Sequence, residues 1–297
     1  MTELQTLRPQ ARDLGGGFEV RRLLPQADRR SLGPFVFFDH FGPVAVEPGR
    51  HHDVRPHPHI GLSTLTYLFD GAIMHRDSTG VVQRIEPGAV NLMTAGRGIV
   101  HSERVPKDLL GKPYRSHGLQ LWIALPEAAE VSAPAFQHVA REDIPALRLD
   151  AATARVIVGT AFGSTSPVET HSPTVAVVID FDVASGRGLA LPSLALELGL
   201  YGIDHPFEID GEKIDEFTLA IVADATAPMR TAPTITAPRG GRVLVLGGEP
   251  LGHRFLSWNF VASRRELIVA AESDWQAQRF PKIAGETEFI PLPPRGA

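Results

Sequence analysis

Apolar residues in this chain fall in short runs of about four to eight, alternating or continuous, each closed by a turn signal. The spacing of a helix is scarce. Candidate strands are 35–39 "FVFFD", 62–69 "LSTLTYLF", 72–77 "AIMHRD", 82–86 "VQRIE", 89–93 "AVNLM", 99–103 "IVHSE" and 118–124 "GLQLWIA". After a break they resume at 154–159, 175–182, 195–202, 206–209, 217–222 and 242–246. Asp77-Ser78-Thr79-Gly80 and Asp210-Gly211-Glu212 read as hairpin turns, and Glu86-Pro87-Gly88 as a turn with proline at its corner. Helix is expected only over 261–273, with Ser263 as N-cap and Glu266 three residues on, and over 125–131. The pattern predicts an all-β protein.

An all-β chain of 297 residues must close or cover many sheet edges. The stretch 126–150 is rich in Pro, Ala and charge, and it separates two strand blocks of similar size. Two packed barrels or jelly rolls satisfy both facts. The expected division is 1–140 and 141–297. A duplication is faintly visible: "FDGAIMHRDSTG" shares its strand–turn layout with "HPFEIDGEKIDEF", and "GIVHSE" echoes "LVLGGE".

Composition removes several function classes. The chain has no cysteine, which excludes disulfides, thiolate zinc sites, iron–sulfur clusters and a cysteine nucleophile. A net charge of −5 gives no electrostatic basis for binding nucleic acid, and the Arg-Arg pairs at 21–22, 29–30 and 264–265 read as solvated surface. The first residues lack the apolar segment of a secretory signal, and no run approaches a membrane span. A cytoplasmic protein is expected, with no membrane partner.

One short stretch carries chemistry. In "HPHIG" the histidines His57 and His59 are two residues apart, so in extended backbone they share a face. Pro58 fixes its own φ and restrains His57, and both effects favour extension. "HSE" repeats the spacing with His101 and Glu103 at the end of another candidate strand. If the two strands are neighbours, three imidazoles and one carboxylate converge. Such a set suits Fe, Mn, Ni, Cu or Zn, and four ligands leave an octahedral ion about two open positions. A closed, four-coordinate structural zinc is the other possibility. Among 12 histidines a lone His-x-His is a weak signal, and two surface histidines would produce it too.

The wider context decides between these. "HPHIGLSTLTYLFDGAIMHRDSTG", followed by "IEPGAVNLMTAGRGIVHSE", closely resembles the signature of the pirin family, within the cupin superfamily. The resemblance extends to "FVFFDHFGP", "GLQLWIALP" and "LGGEPLG". It implies two cupin domains facing each other, with one metal, most often Fe(II), in the N-terminal one. It carries the ligand roles onto His57, His59, His101 and Glu103. In the second half the positions matching His57 and His59 fall in "ALELGL", and Gly247 stands where His101 would, although Glu249 echoes Glu103. One metal per chain is therefore expected.

The resemblance also implies an activity like that of quercetin 2,3-dioxygenases: a flavonol and O₂ as substrates, ring opening, loss of carbon monoxide. Glu103 is then the general base. The competing implication is a non-enzymatic regulator whose metal or redox state alters a surface read by a protein partner. A monomer is expected, since two barrels in one chain already supply the two-domain core. Of the remaining histidines, His51, His52 and His75 read as solvent-facing. His40 and His117 are candidates to orient a ligand imidazole from outside. Gly96 and Gly98 shape backbone rather than cradle phosphate, and Met93 and Phe69 pack the barrel.

Overall fold

The computed structural model describes residues 4–15, 17–50, 52–183, 187–226 and 231–294. Strands dominate it, and the single α-helix among the described residues is Arg265–Gln276. The chain forms two compact units. One takes Ala11–Val20, Phe37–Arg141 and everything from Leu251 onward; the other takes the segment up to Gln10, Arg21–Val36 and Glu142–Pro250. A single cut at 140 therefore does not separate them, because each unit borrows chain from the other half. The physical causes are visible at both ends. Gln5–Leu7 pairs antiparallel with Leu219–Ala223 of the second half. Phe260, Ile268, Ala271, Trp275 and Ile283 bury their side chains with Ile60 and Val100 of the first half.

The strand architecture is nearly duplicated. A seven-stranded and a four-stranded sheet occur in each half of the chain. In the first half the smaller sheet runs Val54–His59, Ile99–Arg104, Ile73–Asp77, Val82–Ile85. The larger one has Leu62–Asp70 between Val90–Thr94 and Tyr114–Ala124. In the second half the corresponding core is Val156, Val177, Ile179, Leu200, Val243, Val245 and their neighbours, all buried. Inward positions alternate along each strand, as the pleat requires.

The turns behave as their residues dictate. Asp77 Oδ1 accepts from the Thr79 amide at 2.8 Å and its hydroxyl at 2.6 Å, and Gly80 follows at φ +95°. Asp210 and Gly211 both have positive φ between Phe207–Ile209 and Glu212–Ile214, the conformation of a tight hairpin.

Three expectations are corrected. The helix starts at Arg265, with residues Phe260–Ala262 in a strand, and Ser263 does not cap it. Instead the Ser263 amide and hydroxyl donate to the Glu130 carboxylate at 2.8 and 2.7 Å. The stretch 125–131 makes one turn closed on the Pro126 carbonyl, not a helix. The 126–150 break contains two strands, Ala135–Val139 and Ala146–Arg148. Both are short strands at sheet edges with no fully buried residue, so no buried apolar alternation marks them.

Candidate metal centre

Val54–His59 lies at the edge of the four-stranded sheet, which is where a strand with two prolines can exist without losing ladder bonds. It pairs antiparallel with Ile99–Arg104, placing His101 directly opposite His57 and Ile99 opposite His59. Alternation then turns all three imidazoles to one side. Their side chains are buried, at 7% exposure for His57 and 1% each for His59 and His101. One ring nitrogen from each lies within 4.8 Å of the others, and among the described residues this is the one such convergence of three potential ligands.

The outer nitrogens are occupied. His57 Nδ1 donates to the Arg55 carbonyl at 2.8 Å, and His59 Nδ1 to the Asn259 carbonyl at 3.1 Å. A carbonyl can only accept, so the proton of each neutral ring sits on Nδ1 and Nε2 is left with a bare lone pair. His59 Nε2 is 3.1 Å from His101 Nε2, and His101 Nδ1 is 3.4 Å from His75 Nδ1. Outer partners of this kind hold a metal-binding imidazole in its orientation. Convergent lone pairs in a buried, thiolate-free pocket suit a borderline divalent cation, so the residues fit the group the sequence implies.

Burial sets the charge state of the three rings. It lowers the pKa of His57 to about 4, with the Arg55 hydrogen bond opposing and the neighbouring His75 adding to the fall. His59 and His101 lie well below the ordinary value, first through burial and then through the histidines around them. Rings that resist protonation are ready ligands at neutral pH.

The same shifts predict acid sensitivity of the metal-free protein. An unfolded histidine takes its proton near 6.5, whereas folded His57 does so only near 4. Between those values the unfolded state binds more protons, so stability falls with pH through that window. His57 alone contributes a loss of about 3 kcal/mol across it. Burial raises the Glu103 carboxyl, which acts in the opposite direction. Denaturant midpoints of chelator-treated protein should drop steadily from about pH 7 to about pH 4.5; a flat profile would contradict the buried, neutral triad.

Glu103 lies outside the 4.8 Å grouping of the three rings. The pairing with Val54–His59 slips between His101 and Glu103, so Glu103 faces Val54 rather than Arg55 on that strand. Glu103 stands opposite His75 on the other side. Its carboxylate is partly buried and takes a long, 3.5 Å hydrogen bond from the Thr66 hydroxyl, which also donates to Gln120 at 2.9 Å. Burial pushes its pKa up, against the pull of His75 and Thr66.

Among the other histidines, His75 corrects the sequence reading. It is buried, stacks on Phe136 with centroids 4.6 Å apart, and donates from Nε2 to Asp77 Oδ2 at 3.0 Å. His40 and His117 are buried with their Nε2 atoms 2.8 Å apart, so they partner each other, and the outer role expected of them falls to His75 for His101. His52 stacks on Phe18 rather than facing water. His51 lies outside the described residues. Gly96 has φ +51°, and a Cβ there would lie 2.2 Å from the Ser132 carbonyl oxygen, which supports its reading as a backbone position. Met93 is buried with Ala95 and Ile99. Trp122 lies edge-on to His59 and stacks on Phe37, giving the centre an aromatic wall.

Residues 17–123 match the pirin family model and residues 178–281 match the pirin C-terminal cupin domain. The chain belongs to the pirin family. A pirin-like protein from Caulobacter vibrioides is 44% identical over 283 residues, spanning 94% of this chain and 95% of that one. Human pirin is 35% identical over 268 residues, 88% of each chain. The crystal structure of an Acinetobacter baumannii protein named quercetin 2,3-dioxygenase superposes with a TM-score of 0.87 at 33% identity, covering 99% of this chain and 97% of that one. The fold is accordingly all-β, with two cupin domains. In the second one, Leu198 pairs with Gly247, where an added Cβ would lie 2.0 Å from the Glu197 carbonyl oxygen. Gly247, the position expected to match His101, is thus packed against backbone. No helix among the described residues is long and apolar enough to cross a membrane.

Proposed function

We propose that this pirin is a metal-dependent dioxygenase that opens flavonols such as quercetin with O₂. His57, His59 and His101 hold the cation, and Glu103 serves as fourth ligand and general base. The observation that carries the reading is the convergence of three buried rings, two of them held with a bare Nε2 by backbone carbonyls, beside a carboxyl raised by burial. The likeness to the Acinetobacter protein supports the substrate class.

When bound, an Fe(II) or similar divalent ion supplies Lewis-acid polarisation of the flavonol 3-oxygen and a route for electrons to O₂. The chain's own residues do the rest. Glu103 accepts the 3-hydroxyl proton, and its raised pKa brings it closer to the operating pH of a base. Thr66 and Gln120 hold that carboxylate in place. Trp122, stacked on Phe37 and packed against His59, offers apolar surface that would exclude water from the reacting ring.

The test is direct. Purified protein loaded with iron, and in parallel with Mn, Ni, Cu and Zn, is given quercetin under air. Loss of flavonol absorbance with release of carbon monoxide is expected in at least one preparation. Absence of turnover with every metal would refute the enzyme reading and return the regulator.

A further inference from the structure

His101 differs from its two companions in what holds its outer nitrogen. The Nδ1 atoms of His57 and His59 face backbone carbonyls, which fix the proton outright. His101 Nδ1 faces another imidazole, His75 Nδ1, at 3.4 Å. Two tautomers therefore compete. With its proton on Nδ1, His101 presents a bare Nε2 to the centre. With its proton on Nε2, it donates across 3.1 Å to His59 Nε2 and closes the site on itself.

What breaks the tie lies one strand away. Asp77 pairs with His101 in the ladder, and His75 and Asp77 share a face by the same i, i+2 rule. The Asp77 side chain is fully buried; its Oδ1 is engaged by Thr79 and Val81, and its Oδ2 faces His75 Nε2 at 3.0 Å. An ionised carboxylate only accepts, so His75 carries its proton on Nε2. A His75 ring whose one proton sits on Nε2 has a bare Nδ1, which can only accept, and His101 then brings its own proton to Nδ1.

We propose that Asp77 and His75 form a positioning relay that fixes the His101 proton on Nδ1 and keeps Nε2 open for a divalent cation. The inference rests on the metal reading above but concerns residues it does not use. Asp77→Asn keeps an oxygen for the turn and places an amide donor against His75 Nε2. The His75 proton then moves to Nδ1, where it opposes the His101 Nδ1–H, and the self-closed tautomer wins. His75→Phe keeps the stack on Phe136 and most of the volume but removes the acceptor. His75→Gln returns a carbonyl acceptor.

The experiment uses the full chain and Zn(II). Affinity is measured by chelator competition, and the His101 tautomer by nitrogen-15 spectra of metal-free, histidine-labelled protein. Expected are a Zn(II) affinity about 10–100-fold weaker in Asp77→Asn and His75→Phe, as loss of an outer partner produces elsewhere, with partial recovery in His75→Gln. The His101 proton should sit on Nδ1 in the wild type and on Nε2 in Asp77→Asn. Unchanged affinity in His75→Phe, or an unchanged tautomer in Asp77→Asn, would overturn the relay. Wild-type protein that binds no Zn(II) would instead refute the metal reading, while the spectra still decide the relay. Melting of the metal-free variants checks folding, and if Asp77→Asn does not fold, His75→Phe decides alone.

Discussion

Replacing His101 with alanine is expected to strip the protein of its metal, leaving background levels by elemental analysis where the wild type carries one ion per chain. His101 sits opposite His57 and has its Nε2 3.1 Å from that of His59, so it joins the other two donors. Loss of an outer partner alone weakens a metal site by about 10–100-fold, and loss of a direct ligand should exceed that. The variant should still fold. The residue removed is a buried polar ring, and apolar packing around Ile99 and Val100 is untouched. Equal metal in both proteins would show that the ion sits elsewhere.

Glu103→Gln is expected to cut flavonol turnover by about 10²–10⁴-fold, the usual range for loss of a positioned base. Glutamine matches glutamate in size and can keep the contact to the Thr66 hydroxyl through its carbonyl oxygen, so the change isolates the proton-accepting role. Metal content should fall far less than in His101→Ala, because the three-ring convergence does not include Glu103. The measurement is kcat on quercetin at matched metal occupancy. Turnover within about twofold of wild type would remove Glu103 from the chemistry, and complete metal loss would assign it a ligand role only.

The strands, the duplicated layout and the histidine triad were all legible in the chain, because each rests on local alternation. Pro58 between two histidines, and a second pair at the same spacing, state which side chains share a face. His75 is buried where the sequence reading expects solvent, although the sequence carries a signal for it. "HRD" at 75–77 has the same i, i+2 form as "HSE", and its neighbours in the ladder are His101 and Glu103. Proximity to the Asp-Ser turn predicts exposure, whereas the turn buries both His75 and Asp77. Glu103 keeps the spacing of its strand, pairing with His75 in step with His101 and Asp77, while the extra residue that shifts its other partner to Val54 lies in the neighbouring strand and left no mark in the sequence.

What comes from far along the chain left no trace. The carbonyl that fixes His59 belongs to Asn259, two hundred residues away. The C-terminal segment joins the first-half unit through the Ile60–Phe260 bridge, the Ile290 amide on the Pro56 carbonyl, and Glu286 on Ser102 and Arg104. None of these contacts has a periodicity or a composition shift to announce it, so two linear halves were the natural expectation.

The most direct test of the metal centre is anomalous scattering from crystals of the wild-type chain loaded with one metal, recorded on both sides of that metal's absorption edge. A single strong peak among the Nε2 atoms of His57, His59 and His101 is the expected result. No peak there, or a peak at another site with the three rings unchanged, would contradict it.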